Sequence, residues 1–246
     1  MNNPNELEDN LESLKNHNQQ LAEQLLLSQL ECSQIKRKLE ELEAQELEKI
    51  SLIVQLLEVG LALSSIKDLR ELLSLILSKS REITCSDAGS IYLIDRTGSV
   101  DSICFEVSQN YSQPERSLKN FAMPMSPDSL VGYVAITGEV LNIPDVKNIP
   151  SHVSYRHYQA MDRDIEYITR SVLVVPMQGS AGTVVGVMQL INRKVKPDDL
   201  ITDKNVSKVT QSYSDWEVCV LRSLASQAAL CIERNQLMSG HLPISP

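Results

Sequence analysis

Residues 5–59 contain no proline, no glycine and no aromatic side chain, while apolar residues recur there in alternating steps of four and three. Leu7, Leu14, Leu21, Ile35 and Leu42 occupy one heptad position, and Leu11, Leu25 and Leu39 the other. Asn18, Ser28 and Cys32 interrupt this seam and Glu46 ends it; after a change of phase the steps resume as Leu47, Ile50, Val54, Leu57 and Leu61. So narrow an apolar stripe cannot build a globular core alone and needs a partner helix carrying the same seam. The pattern predicts a coiled-coil helix over residues 1–55 and a parallel homodimer held through it, because the heptads persist over enough turns. Asn18 on the seam favours a defined register and two strands. The alternatives are a solitary charged helix and a disordered tail.

All ten aromatic residues lie at or beyond Tyr92, so the core-building material is concentrated in the C-terminal part, which is long enough for one sizeable core. No apolar run reaches the roughly 20 residues of a membrane helix, and the acidic N-terminus lacks the basic and apolar regions of a signal peptide. A soluble, cytoplasmic protein with no membrane partner is expected. Net charge is −9, and the first fifty residues carry 5 basic against 11 acidic side chains. Such a chain repels phosphate backbones, which argues against nucleic acid. The basic cluster at residues 36–38 is followed by Glu40 and Glu41 and reads as a solvated helix face. Cys32, Cys85, Cys104, Cys219 and Cys231 are odd in number and lack metal-ligand spacing, which argues for reduced thiols and against disulfides or zinc.

After the seam, periodicity predicts a helix over 68–83, strands over 88–95 and 100–107, and a polar loop over 108–119. A short strand at 121–125, a short helix over 129–137 stopped by Gly138, and a short strand at 141–143 come next. Residues 145–169 are polar and aperiodic. Strands over 171–177 and 183–191 flank a glycine-containing turn, a polar insertion spans 193–212, and a last helix covers 215–238. This order predicts an α+β fold, an antiparallel sheet flanked by helices.

Four stretches carry a resemblance to a known family: residues 89–95 (GSIYLID), 129–145 (SLVGYVAITGEVLNIPD), 169–176 (TRSVLVVP) and 185–193 (VGVMQLINR). In this order and spacing, and with 221–227 (LRSLASQ) opening the last helix, residues 56–238 resemble a GAF domain, the small-molecule sensor module of cyclic-nucleotide phosphodiesterases, cyanobacterial cyclases and sensor kinases. Residues 239–246 form a short tail. The resemblance implies a ligand pocket between the sheet and the aperiodic segment. In it Ser90 would meet a purine edge, and Phe105 and Glu106 would stack on and hydrogen-bond the base. Leu130 and Val131 would offer helix N-terminal amides to a phosphate, and Tyr158, Asp162 and Thr169 would close over the ligand. Cyclic AMP or cyclic GMP is the implied ligand. Two positions depart from the family pattern: Ile165 stands where a threonine faces the ligand, and Glu106 is longer than the family's aspartate. The family's buried N-K…F-x-x-x-D lock maps onto Asn192, Arg193, Tyr213 and Glu217, a further departure in which each residue after the asparagine is replaced conservatively.

Plainer readings stand beside these. Phe105 can be a sheet-core aromatic and Ser90 a small residue dictated by packing. Asp162 and Asp164 beside Arg163 and Arg170 can be surface pairs of little energetic weight. His152 and His157, five apart, share no helix face, which argues against a metal. The sequence shows no hydrolase, metalloprotease or P-loop signature, so a non-enzyme is expected. Residues 145–170 contain no cysteine, which excludes a thioether-linked bilin there. The expectation is a dimeric sensor acting through a separate output protein or as part of a larger assembly, because the tail after Met238 is too short for an output domain. The alternatives are a structural dimerisation protein with a self-filled pocket, and a thiol-dependent reductase of free methionine sulfoxide.

Overall fold

The computed structural model describes residues 4–66, 68–114, 122–157 and 167–238. Contacts divide the chain into two units, the first ending at Gln55 and the second beginning at Leu56. Helix α1, Pro4–Ser65, carries the heptad stripe, and Leu21, Leu25, Ile35, Leu39 and Leu42 are all exposed on it. Among the described residues no helix is long and apolar enough to cross a membrane.

In the second unit the C-terminal turns of α1 are followed by α2, Leu69–Ile83. Asp68 caps it: its carboxylate accepts the Glu71 amide at 2.8 Å, satisfying one of the unpaired donors of the first turn. Leu72, Leu73, Ile76, Leu77 and Ser80 are buried at the steps of three and four that the sequence predicts. Strands β1 (Ser86–Asp95), β2 (Ser102–Asn110) and β3 (Ala122–Pro124) follow, then α3 (Leu130–Thr137) and β4 (Leu141–Ile143). A single 3-10 turn at Val146–Asn148 precedes β5 (Val172–Gln178) and β6 (Val184–Lys194). The described residues end with a one-turn helix α4 (Val206–Val209), a two-residue strand β7 (Thr210–Gln211) and α5 (Asp215–Met238).

The sheet runs β3-β2-β1-β6-β5-β4, antiparallel at every pairing, with β7 joining β6 beyond the start of β5. Helices α2 and α5 pack on one face. Gly89 admits α2: a Cβ there would lie 2.9 Å from side-chain carbons of both Leu77 and Leu190. Leu221, Leu224, Ala225, Ala228, Ala229 and Ile232 of α5 are fully buried, whereas Val218, expected among them, is only half-buried. The opposite face carries a second apolar cluster in which Tyr92, Ile94, Ile103, Phe105, Val174 and Val187 of the strands meet Leu130, Val131 and Val134 of α3.

Two expected loops are partly ordered elements. Residues 108–110 continue β2, because Gln109 turns its carboxamide to the Ser74 carbonyl of α2 (2.8 Å) and accepts from Arg81 (3.0 Å). The polar insertion at 193–212 contains the end of β6, α4 and β7. Two of its polar residues, Lys194 and Thr210, are buried.

Candidate functional site

The face beneath α3 is built by strand alternation, which sends Ser90 and Tyr92 of β1 to the same side. Ser90 and Gln189 are register partners across β1 and β6, and the Tyr92 hydroxyl donates to the Gln189 side-chain oxygen at 3.2 Å. Burial pushes the Tyr92 phenol up to about 12, a hydrogen bond with Ser90 opposing the shift. Phe105 meets the Tyr92 ring edge to face, centroids 5.3 Å apart at 78°. The result is a polar row of serine, glutamine and tyrosine set among apolar side chains.

Strand alternation lets only one residue of the expected Phe105–Glu106 pair join this face. The register passes from Ile91 opposite Val107 to Tyr92 opposite Phe105, so Glu106 is the extra residue. The structure turns it to α2, where its carboxylate lies 3.8 Å from Arg70 Nε and its carbonyl accepts from the same guanidinium at 3.0 Å. Phe105 stays on the α3 side with Leu130 and Val131; Glu106 does not accompany it.

At the α3 N-terminus, Ser129 accepts the Gly132 amide at 2.9 Å, and the helix ends on Gly138 in the left-handed conformation. Gly132 is required by space, since any Cβ would collide with the Ser126 carbonyl. Leu130 and Val131 are buried directly after the cap. Tyr133 of α3 packs edge-on to Tyr155, 4.8 Å between centroids. Tyr158, Asp162 and Ile165 lie outside the described residues. Thr169 is buried just before β5.

The approach to Thr169 is fixed by a polar network that the sequence did not reveal. Tyr167 donates to Asp87 Oδ2 at 2.7 Å and accepts from Asn192 Nδ2 at 3.0 Å. Asn192, at φ 57°, also donates to the Ile168 carbonyl (2.6 Å) and accepts the Arg170 amide (2.7 Å). Asparagine tolerates this left-handed backbone better than most residues. Asp87 further accepts from Ser112 at 2.8 Å and lies 3.5 Å from Lys194 Nζ, which sits 3.7 Å above the Tyr111 ring. Asp87 and Lys194 are buried. Burial and the neighbouring Asp87 carboxylate push the Tyr167 phenol well above its ordinary value.

The expected lock residues divide their tasks. Arg193, not Lys194, reaches Glu217, with Nε to Oε1 at 2.5 Å. Glu217 also closes a capping box on α5, accepting from Ser214 N and Oγ at 2.7 Å each while Ser214 Oγ accepts the Glu217 amide at 3.3 Å. Tyr213 bonds Ser86 Oγ at 2.9 Å. Asn192 instead holds the segment before β5.

Cys85 precedes β1 at φ 51°, whereas Cys104 pairs with Leu93 near the strand's far end. At about 3.3 Å rise per residue they are separated by roughly 25 Å, too far for two thiols to share one reduction. Among the described residues no group of three or more His, Cys, Asp or Glu is placed to hold a metal.

Comparison with known proteins fits this geometry. The GAF domain family matches residues 68–232. A stretch of 132 residues is 31% identical to the dual 3',5'-cyclic-AMP and -GMP phosphodiesterase 11A of Takifugu rubripes, covering 52% of this chain and 14% of that protein. Another, of 217 residues, is 26% identical to the dual 3',5'-cyclic-AMP and -GMP phosphodiesterase 11 of Drosophila melanogaster, covering 84% of this chain and 14% of that protein. The match thus spans a small part of either relative. In fold, the chain is similar to the GAF domain of a phosphoenolpyruvate-protein phosphotransferase from Coxiella burnetii, with a TM-score of 0.56 at 16% identity over 78% of this chain and 98% of that one.

Proposed function

The chain belongs to the GAF domain family, and from that premise we propose that its second unit is a non-catalytic, ligand-sensing regulatory module that binds a purine cyclic nucleotide weakly. The observation that carries the reading is the polar row of Ser90, Gln189 and Tyr92 beside Phe105, beneath the α3 N-terminus. Hydroxyl and carboxamide both donate and accept, which suits the mixed edge of a purine, and Phe105 supplies an aromatic partner. The amides of Leu130 and Val131 and the helix dipole suit the cyclic phosphate. Tyr158, Asp162 and Thr169 complete the site in this proposal. Phosphodiesterases among the relatives act on cyclic AMP and cyclic GMP, which supports the ligand class.

Weak binding follows from two departures. Glu106, engaged by Arg70, is turned from the base, and Ile165 offers no hydrogen bond. A lost neutral hydrogen bond costs about 0.5–1.5 kcal/mol and an unpaired buried group about 1–3 kcal/mol. Together they weaken binding by about one to three decades. The module works, in this proposal, as a cytoplasmic homodimer through α1 and signals to a separate output protein. Isothermal titration with cyclic AMP and cyclic GMP tests the ligand, with saturable heat expected only at high micromolar to millimolar concentration and lost in Ser90→Ala. Nanomolar affinity refutes the weakness argument. Silence at millimolar ligand, in wild type and Ile165→Thr alike, refutes the sensor reading. It would leave a structural module, which the burial of Phe105, Leu130 and Val131 among their own neighbours already favours as the second reading.

A further inference from the structure

We infer that α1 pairs with α1 of a second copy in parallel and in exact register about Cys32, so that the two Cys32 thiols face each other across the seam; this rests on the homodimer reading above. Charge marks a second copy as the occupant of the exposed stripe. With Leu11, Asn18, Leu25, Cys32 and Leu39 at position a, and Leu7, Leu14, Leu21, Ser28, Ile35 and Leu42 at d, the flanking positions follow by counting. Glu31 and Lys38 fall at g, and Lys36 and Glu43 at e. In a parallel, in-register pair each g residue faces the e residue five positions on in the partner helix. Glu31 then meets a partner lysine at position 36, and Lys38 a partner glutamate at position 43. Both pairs are opposite in charge, and the two-fold axis makes each of them twice. A one-heptad slip sets Glu31 against Glu43 in one direction, so the charges mark the register as well as the orientation.

These pairs flank Cys32, the exposed thiol of α1. In a parallel in-register dimer an a-position side chain points at its own counterpart, whereas in an antiparallel pair it faces a different residue. Two polar a positions, Asn18 and Cys32, thus stack on themselves only in this arrangement, and both share the small penalty of interrupting the leucine seam.

The test separates orientation from association. The full-length protein is weighed by sedimentation equilibrium, then treated with diamide under non-denaturing conditions. Each cross-link forms one S–S bond as two thiols give two protons and two electrons to the diamide, which is reduced to its hydrazine. The expected result is a dimer that becomes covalent, with the cross-link lost in Cys32→Ser and kept in Cys219→Ser, the other exposed cysteine. In the Cys32→Ser background, Leu25→Cys restores it. Lys36→Glu weakens the dimer by roughly three- to tenfold, and Glu31→Lys on top of it recovers most of the loss. A dimer by mass that fails to cross-link through Cys32 or Leu25→Cys overturns the parallel register and leaves the dimer standing. A monomer at micromolar concentration overturns both.

Discussion

Replacing Asp87 by asparagine isolates the charge at the centre of the network that holds the segment before β5. The substitution keeps the side chain's size and one acceptor oxygen. It leaves the Lys194 ammonium, now 3.5 Å from the carboxylate and 3% exposed, without its counter-ion. The Tyr111 ring 3.7 Å away is its remaining favourable neighbour, and a cation–π contact is worth about 0.5–2 kcal/mol. Removing one partner of a buried pair costs about 3–5 kcal/mol, a large share of the about 5–15 kcal/mol that holds a domain together. Asp87→Asn should therefore lose about 3–5 kcal/mol in urea unfolding. Near-ultraviolet circular dichroism is the suitable signal, because all ten aromatic residues belong to the second unit. Adding Lys194→Met removes the stranded charge, and the double variant should recover at least half of the loss. An Asp87→Asn variant within about 1 kcal/mol of wild type, or a double variant no better than the single, would refute the claim that the pair acts as a coupled buried charge.

Gly132→Ala should cost about 1–3 kcal/mol as overpacking, since the added methyl group meets the Ser126 carbonyl; chemical denaturation checks it. Phe105→Ala, emptying a site only 3% exposed, should lose about 3–5 kcal/mol by the same measurement. Tyr92, Tyr167 and Tyr213 all have phenols raised by burial, Tyr92 to about 12. Their contribution is whole below the unfolded value near 10 and falls as pH rises through the folded values, because the unfolded chain releases its protons first. Stability measured from pH 9 to 11.5 should fall increasingly steeply above 10, approaching about 1.4 kcal/mol per pH unit for each fully responding tyrosine; a flat profile contradicts it.

The elements with a period were legible in the sequence. Asp68 announced α2, Gly138 ended α3 where expected, and β4 lies at the residues predicted for it. What escaped was set by contacts distant in sequence. Nothing local distinguishes Asp87 from a surface aspartate, because its partners Tyr167 and Lys194 lie about 80 and 107 residues away. Gln189 was hidden inside an apolar run, although its alternation with Val187 could have placed it on the same face as Ser90 and Tyr92. Glu106 was misjudged for a different reason. Its expected place beside Phe105 came from the family resemblance, whereas plain alternation sets neighbouring strand residues on opposite faces, so Phe105 toward α3 leaves Glu106 toward α2. The Arg193–Glu217 pair was readable because both residues sit in recurring motifs, while the role of Asn192 needed its left-handed backbone to be seen.

In the proposed function a cyclic nucleotide meets the face beneath α3. Amide resonances of isotopically labelled full-length protein, followed while cyclic GMP and then cyclic AMP are titrated to millimolar concentration, test it residue by residue. Concentration-dependent shifts are expected at Ser90, Gln189, Leu130 and Val131, with little change along the packed faces of α2 and α5. Shifts confined to α2 and α5, or none at millimolar nucleotide, would contradict it.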